Sequence, residues 1–162
     1  MAELIEVKGL NELMARMQKY PVELHKGMSL TVSSSLLVLW ENVPPYPPPP
    51  EDSQYARTGT LGKSLGSDIS GGAGSEPDIY SVRPLGATGY EGKFGSRLSY
   101  ASYVIGDAYK LGADNNGTQA RQHQGRWWTM KTIATKSAEK INRLWNQLGE
   151  KMARFLEGKA NG

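Results

Sequence analysis

The residues best able to do chemistry in this chain are few and widely spaced. Gly59-Thr60-Leu61-Gly62-Lys63-Ser64 ends like the Gly-Lys-Ser of a phosphate-binding loop. Such a loop needs its first glycine five residues before the second so that successive N–H groups wrap a phosphate, and Arg57 holds that position. No apolar strand leads into it, because Glu51 to Ala56 is polar and follows prolines. The only histidines, His25 and His123, have neither a second histidine nor a carboxylate at metal-ligand spacing. His25 falls on an apolar helical stripe, where a packed imidazole is the default. His123 would serve as a general base, in a small hydrolase, only if a nucleophile approached from elsewhere in the fold, and no Gly-x-Ser-x-Gly elbow supplies one. With no cysteine, disulfides, Cys-ligated zinc, iron–sulfur clusters and thiol catalysis are excluded together. Catalytic, cofactor-binding and metal-binding residues are therefore expected to be none, and the chain is not expected to be an enzyme.

One stretch does interleave basic, amide and aromatic side chains: Gln119 to Lys131, reading QARQHQGRWWTMK. Arg121, Arg126 and Lys131 could contact phosphates while Trp127 and Trp128 stack on bases, as in single-stranded nucleic-acid binding. The competing reading places the adjacent tryptophans on opposite sides of an extended segment, one in the core and one in a subunit interface, where Trp and Arg are enriched. No stacking platform of recognisable spacing accompanies them, so packing and interface are favoured.

The elements that would position these residues divide at the prolines. Glu3 to Lys8 alternates as a short strand, and Asn11 caps a short helix carrying Leu13, Met14 and Met17. Val22, His25, Met28, Val32, Leu36, Leu39 and Val43 then recur at steps of three or four, the stripe of a core-facing helix. Pro44 to Pro50 cannot continue it, because proline fixes φ and lacks an N–H. An extended polyproline course is expected there, serving as a rigid connector over 44–50 with Tyr46 as its anchor. Residues 66–76 (GSDISGGAGSE) have the composition of a flexible loop or hairpin tip. Asp78 to Pro84, Gly89 to Gly95 and Arg97 to Ile105 read as strands of a small, mainly antiparallel sheet, and Asp114 to Gly117 as a turn. Ser137 is placed to cap a last helix ending near Gly158, with Ile141, Leu144, Trp145, Leu148, Met152, Phe155 and Leu156 on one stripe. The expected architecture is one α+β domain over 1–162, with a long N-terminal helix and a C-terminal amphipathic helix packed on the sheet.

Composition sets bounds on partners. The chain has 162 residues, 38% of them hydrophobic, so a core is attainable but lean. Neither a secretory signal nor a stretch long and apolar enough for a bilayer is legible, which reads as a soluble protein without a membrane partner. Asn116-Gly117-Thr118 accordingly reads as a turn rather than a glycosylation site. Residues 1–80 carry 6 Lys and Arg against 10 Asp and Glu, net −4, whereas residues 81–162 carry 13 against 6, net +7. That division suits either a basic face for nucleic acid or an acidic side meeting a basic side on a neighbouring subunit.

Several motifs, in order, resemble the tail-completion or neck proteins of long-tailed phages, the broad group that includes minor tail protein Z of lambdoid phages. Val7-x-Gly9-Leu10-x-Glu12-Leu13 is similar to that family's opening "V-x-G-L-x-E-L". Arg57-Thr58-Gly59-x-Leu61-x-x-Ser64-Leu65 looks like its "R-T-G-x-L-x-x-S-I" after a proline-containing loop, and Tyr100-Ala101-x-Tyr103-Val104 like its "Y-A-P-Y-V". His123-x-Gly125-Arg126-Trp127-Trp128 occupies the place of an Arg-Pro-Phe segment before the closing helix. The resemblance implies a structural virion protein at the head–tail junction, assembled in the host cytoplasm. Its implied partners are copies of itself in a hexameric or dodecameric ring, and the connector, head-closure, tail-tube or tail-terminator proteins, with contact to packaged DNA left open. Candidate assembly-interface residues are Arg57, Arg126, Trp127, Trp128, Arg143 and Lys151. Nucleic-acid binding through residues 119–131 is the alternative.

Overall fold

The structure, a computed structural model, describes residues 21–51, 53–54, 57–86, 89–106 and 119–160. The readings at Glu3–Lys8, at Asn11–Met17 and at Asp114–Gly117 lie outside these residues.

The apolar stripe after Pro21 forms the helix α1, Pro21–Glu41, with proline at its first position, where the missing N–H is harmless. Val32 and Leu36 are buried as the spacing predicts, but Val22 at the stripe's start is 73% exposed. Buried Thr31, Ser35 and Val38 give α1 a second covered face, and the Ser35 hydroxyl donates to the Thr31 carbonyl at 2.7 Å. The helix stops before the prolines, and Val43 enters the core from the coil beyond it.

After the proline crossing, Gly59 in the left-handed region (φ 71°) turns the chain into a five-residue helix α2, Thr60–Ser64. Residues 66–76, expected as a loop, lie between α2 and the first strand rather than at a hairpin tip. They are tied to the body by a backbone bond from Gly72 N–H to Val43 O at 2.8 Å and closed on themselves by one from Gly74 N–H to Gly66 O at 2.6 Å. Two antiparallel strands follow, β1 Ile79–Leu85 and β2 Gly89–Gly95, in register from Ile79 opposite Gly95 to Leu85 opposite Gly89. They pack on α1, and Gly92 is the point of close approach: a Cβ there would lie 2.7 Å from Val32 Cγ1. The Tyr80 hydroxyl donates to the Ser33 carbonyl at 3.3 Å, and the His25 and Tyr90 rings meet edge on at 5.7 Å.

The expected third strand, Arg97 to Ile105, is instead a turn and a short helix α3, Ala101–Ile105. Ala101 and Ile105 are buried and Val104 packs on the same core, while Tyr103 is exposed, a set spaced i, i+3, i+4 that shares a face in a helix but not in a strand. The Ala101 N–H donates to Leu98 O at 3.0 Å, which closes the turn and ends the extended run. A 3₁₀ turn at Arg121–His123 leads to the last helix, α4, Met130–Ala160. Ser137 therefore caps nothing. The helix begins a full two turns earlier, where Thr129 and Thr132 exchange backbone N–H to hydroxyl bonds of 3.2 and 3.3 Å, a reciprocal arrangement that satisfies the first-turn donors. Gly158 lies within the helix rather than beyond its end.

The mixed α+β architecture is thus a long helix, a two-stranded antiparallel sheet and a C-terminal helix. The core cluster, Val43, Leu61, Leu65, Ala101, Ile105 and Ile133, is built from the coil after α1 and from α2, α3 and α4, with Leu39 of α1 and Phe94 of β2 packed against it. Leu65 and Ile133 are completely buried, each contributing about 1.5–3 kcal/mol by area. Along the distal half of α4, Leu144, Leu148, Met152 and Phe155 border an open groove of about 510 Å³ against Gly27 and Leu30 of α1. Trp145, assigned to the buried stripe by spacing, is 38% exposed. Among the described residues no helix is long and apolar enough to cross a membrane.

Candidate assembly site

An extended proline segment makes no hydrogen bonds of its own, so its carbonyls need donors from elsewhere. Three side chains named from the sequence supply them. Trp128 Nε1–H donates to Pro45 O at 3.0 Å, Arg57 donates from Nη1 to Pro47 O and from Nη2 to Pro48 O at 3.1 Å, and Arg126 Nη2 donates to the same Pro48 O at 2.8 Å. Tyr46 anchors the crossing from within, as expected. Its N–H donates to Ile69 O at 2.8 Å, its hydroxyl accepts from the Gly62 N–H, and its ring meets Trp127 at 5.0 Å.

Arg57 lies against two rings, with its guanidinium carbon 5.2 Å from the centre of Trp127 and 5.8 Å from that of Tyr46. This arrangement fixes the planar fork by cation–π attraction while its edge bonds the proline carbonyls. Trp127 is held at its backbone too, because buried Gln119 donates to both Val104 O (2.7 Å) and Trp127 O (3.1 Å). The two tryptophans do not face opposite sides: both pack on the core cluster and both face the proline crossing, with ring centres 6.3 Å apart.

Between these groups opens a cavity of about 220 Å³, lined by Arg57, Thr58, Leu61, Tyr100, Arg126 and Trp127 among others. Neither guanidinium has an ion-pair partner among the described residues. His123 stands beside the site, edge on to Trp127 at 6.2 Å. Partial burial, reinforced by the nearby Arg126 charge, holds its pKa below the usual histidine value.

Of the six residues singled out from the sequence, Arg57, Arg126, Trp127 and Trp128 converge here. Arg143 and Lys151 do not. Arg143 is exposed on α4 and pairs with Glu139 one turn away at 3.5 Å, while Lys151 borders the groove against α1. The Gly59–Ser64 stretch that resembles a phosphate loop has its N–H groups engaged, Gly62 to Tyr46 and Lys63 to Gly59 O, and the Ser64 hydroxyl is buried against Leu61 O and Ser96. No group of three His, Asp or Glu side chains among the described residues could hold a metal ion. Sequence reasoning missed Gln119 as the brace of Trp127, since a glutamine in a polar stretch gives no signal of burial. Comparison with protein-family models, with curated proteins and with solved structures returns no match.

Proposed function

We propose that this protein is a structural component of the head–tail junction of a long-tailed phage, acting by closing into a ring that completes the tail or neck and joins it to the capsid connector. One observation carries the reading. Two segments that resemble the tail-completion family, Arg57 to Leu61 and Tyr100 to Val104, lie far apart in the chain yet line a single cavity beside the proline crossing, where Arg126 and Trp127 join them. Residues that meet in this way, with their arginines bracing an extended segment, suit a docking framework better than a reaction centre. A ring needs a heterologous, self-closing contact, and the uneven division of charge along the chain, net −4 over residues 1–80 and net +7 over residues 81–162, is compatible with such a pairing of unlike faces.

The nucleic-acid reading has weaker support here. Trp127 is covered by Arg57 and Tyr46, and Trp128 is spent on Pro45, which leaves less ring surface for a base to stack on.

The test is the solution mass of the full chain by light scattering, with particle images of the same sample. The expected outcome is a discrete closed multimer, hexameric or dodecameric, with a central channel. A strict monomer at every concentration and salt condition would reject the ring.

A further inference from the structure

Among the described residues, two guanidinium groups are brought together with no carboxylate paired to either. Arg57 and Arg126, from segments 69 positions apart, both donate to the single carbonyl oxygen of Pro48, at 3.1 and 2.8 Å. Like charges at such a separation repel, and one neutral acceptor shared between them offsets little of that. Each guanidinium has five N–H donors, and the proline carbonyls account for two on Arg57 and one on Arg126. Arg57 is also held rigid between Tyr46 and Trp127, so an incoming oxyanion would meet a fork already in place. Beside it, the exposed Thr58 and Thr60 hydroxyls, 2.7 Å apart, line the same cavity.

We propose that this cavity is a receptor for a carboxylate presented by a second copy of the chain, and that Glu76 is that carboxylate; the inference rests on the ring reading above. A protein carboxylate fits better than a nucleic-acid backbone, because two cations line the cavity among the described residues, whereas a phosphate chain needs a track of them. The donor follows from elimination among the described acidic residues. Glu41, Glu91, Glu139 and Glu150 are paired with cations, and Asp68 and Asp78 accept backbone N–H groups from Ser70 and Arg97. Glu23 and Glu157 stand on the two long helices, whose girth exceeds a cavity of about 220 Å³, and Glu51 adjoins the cavity of its own chain. Glu76 is exposed, has no ion pair among the described residues, and stands on a surface loop rather than on a long helix. A bidentate carboxylate bridging the two guanidiniums would neutralise their repulsion and link copies head to tail.

A double-mutant cycle on self-association tests the pairing. Light scattering across a dilution series should show Arg126→Gln and Glu76→Gln each weakening assembly about tenfold or more, with the double variant no weaker than either single one. Unchanged association in the single variants, or fully additive losses in the double, would overturn the pairing while leaving the ring intact. Should the wild-type chain prove monomeric, the ring reading fails and the receptor is tested alone. A synthetic peptide of residues 71–80 is then titrated while tryptophan fluorescence is read, because Trp127 lies directly under Arg57. A saturable change that Arg126→Gln abolishes upholds the carboxylate site. No change, or a change produced only by a single-stranded oligonucleotide, overturns it.

Discussion

Trp128 on the approach to α4 and Pro45 at the start of the proline crossing are joined by a 3.0 Å indole N–H to carbonyl bond that spans 83 residues of sequence. Proline cannot donate, so the carbonyls of this crossing depend on side chains brought from the far end of the chain. Trp128→Phe keeps most of the ring's packing and removes the donor. The expected loss is about 0.5–1.5 kcal/mol, towards the lower end because the bond is exposed to water, whereas Trp128→Ala should lose roughly 3 kcal/mol by also vacating the ring's place on the core. Denaturant unfolding followed by far-ultraviolet circular dichroism separates the two, and equal losses would show the hydrogen bond to be irrelevant.

Gly71 and Gly72 are neighbours with the same left-handed backbone, φ 84° and 75°, but different surroundings. A Cβ on Gly71 would lie 2.6 Å from Pro45 N and 2.8 Å from Val43 O, both backbone atoms that cannot swing aside, while one on Gly72 meets nothing within 4 Å. Gly72→Ala should therefore destabilise only by the left-handed penalty of about 1–2 kcal/mol. Gly71→Ala adds a steric overlap that must push the proline crossing away from the loop. A melting temperature for Gly71→Ala no lower than that for Gly72→Ala would contradict the packing of 66–76 on the crossing.

Acidification should weaken the fold through His123. Burial first, and the Arg126 charge second, favour the neutral imidazole in the folded chain, so the folded pKa lies below the unfolded value of about 6.5. Above that value both states are neutral at this residue and it contributes no pH dependence. As pH falls below it, the unfolded chain takes up the proton first, and stability drops until the folded pKa is reached and the difference becomes constant. Comparing wild type with His123→Gln across this window should show a shallower decline in the variant. Parallel curves would assign the acid sensitivity elsewhere.

Much of the fold is legible in the sequence where one pattern dominates. The stripe from His25 to Leu39 and the strand-like runs Asp78 to Pro84 and Gly89 to Gly95 locate α1 and the β1–β2 pair without tertiary information. The errors fall where two patterns coexist. Tyr100-Ala101-Ser102-Tyr103-Val104 reads like a strand, yet the core contacts of Ala101, Val104 and Ile105, with Tyr103 left exposed, fit only a helix. Ser137 followed by Glu139 has the composition of a helix start, but the signal used, Thr129 with Thr132, relies on paired hydroxyls rather than on an acidic partner. Val38 is buried off the main stripe because α1 packs on both the sheet and α4, and a single hydrophobic face cannot announce two neighbours. The candidate site was legible as a set of residue types at 57 and 126–128. Its central geometry, two arginines on one carbonyl oxygen, was not, since nothing local records a contact across 78 positions.

Ser137 itself sits where α4 crosses α1. It is completely buried, and its hydroxyl donates to the Val38 carbonyl at 3.4 Å, an oxygen that also accepts from the Asn42 N–H and side-chain amide. The hydrogen bond is long and its acceptor has other donors, so Ser137→Ala should change stability by less than about 1 kcal/mol, the deleted hydroxyl being nearly balanced by the loss of its desolvation. Ser137→Leu makes the opposite demand, forcing a large side chain into a crossing that has room only for a small one. Overpacking of this kind costs about 1–3 kcal/mol or more when backbone must shift, and the shift would be felt at Ile133, one turn earlier on the same helix and also completely buried. Urea unfolding of both variants tests the crossing directly: a tolerated leucine would mean that α4 does not pack tightly on α1 at this position, and an alanine as damaging as leucine would contradict the minor role given to the hydroxyl.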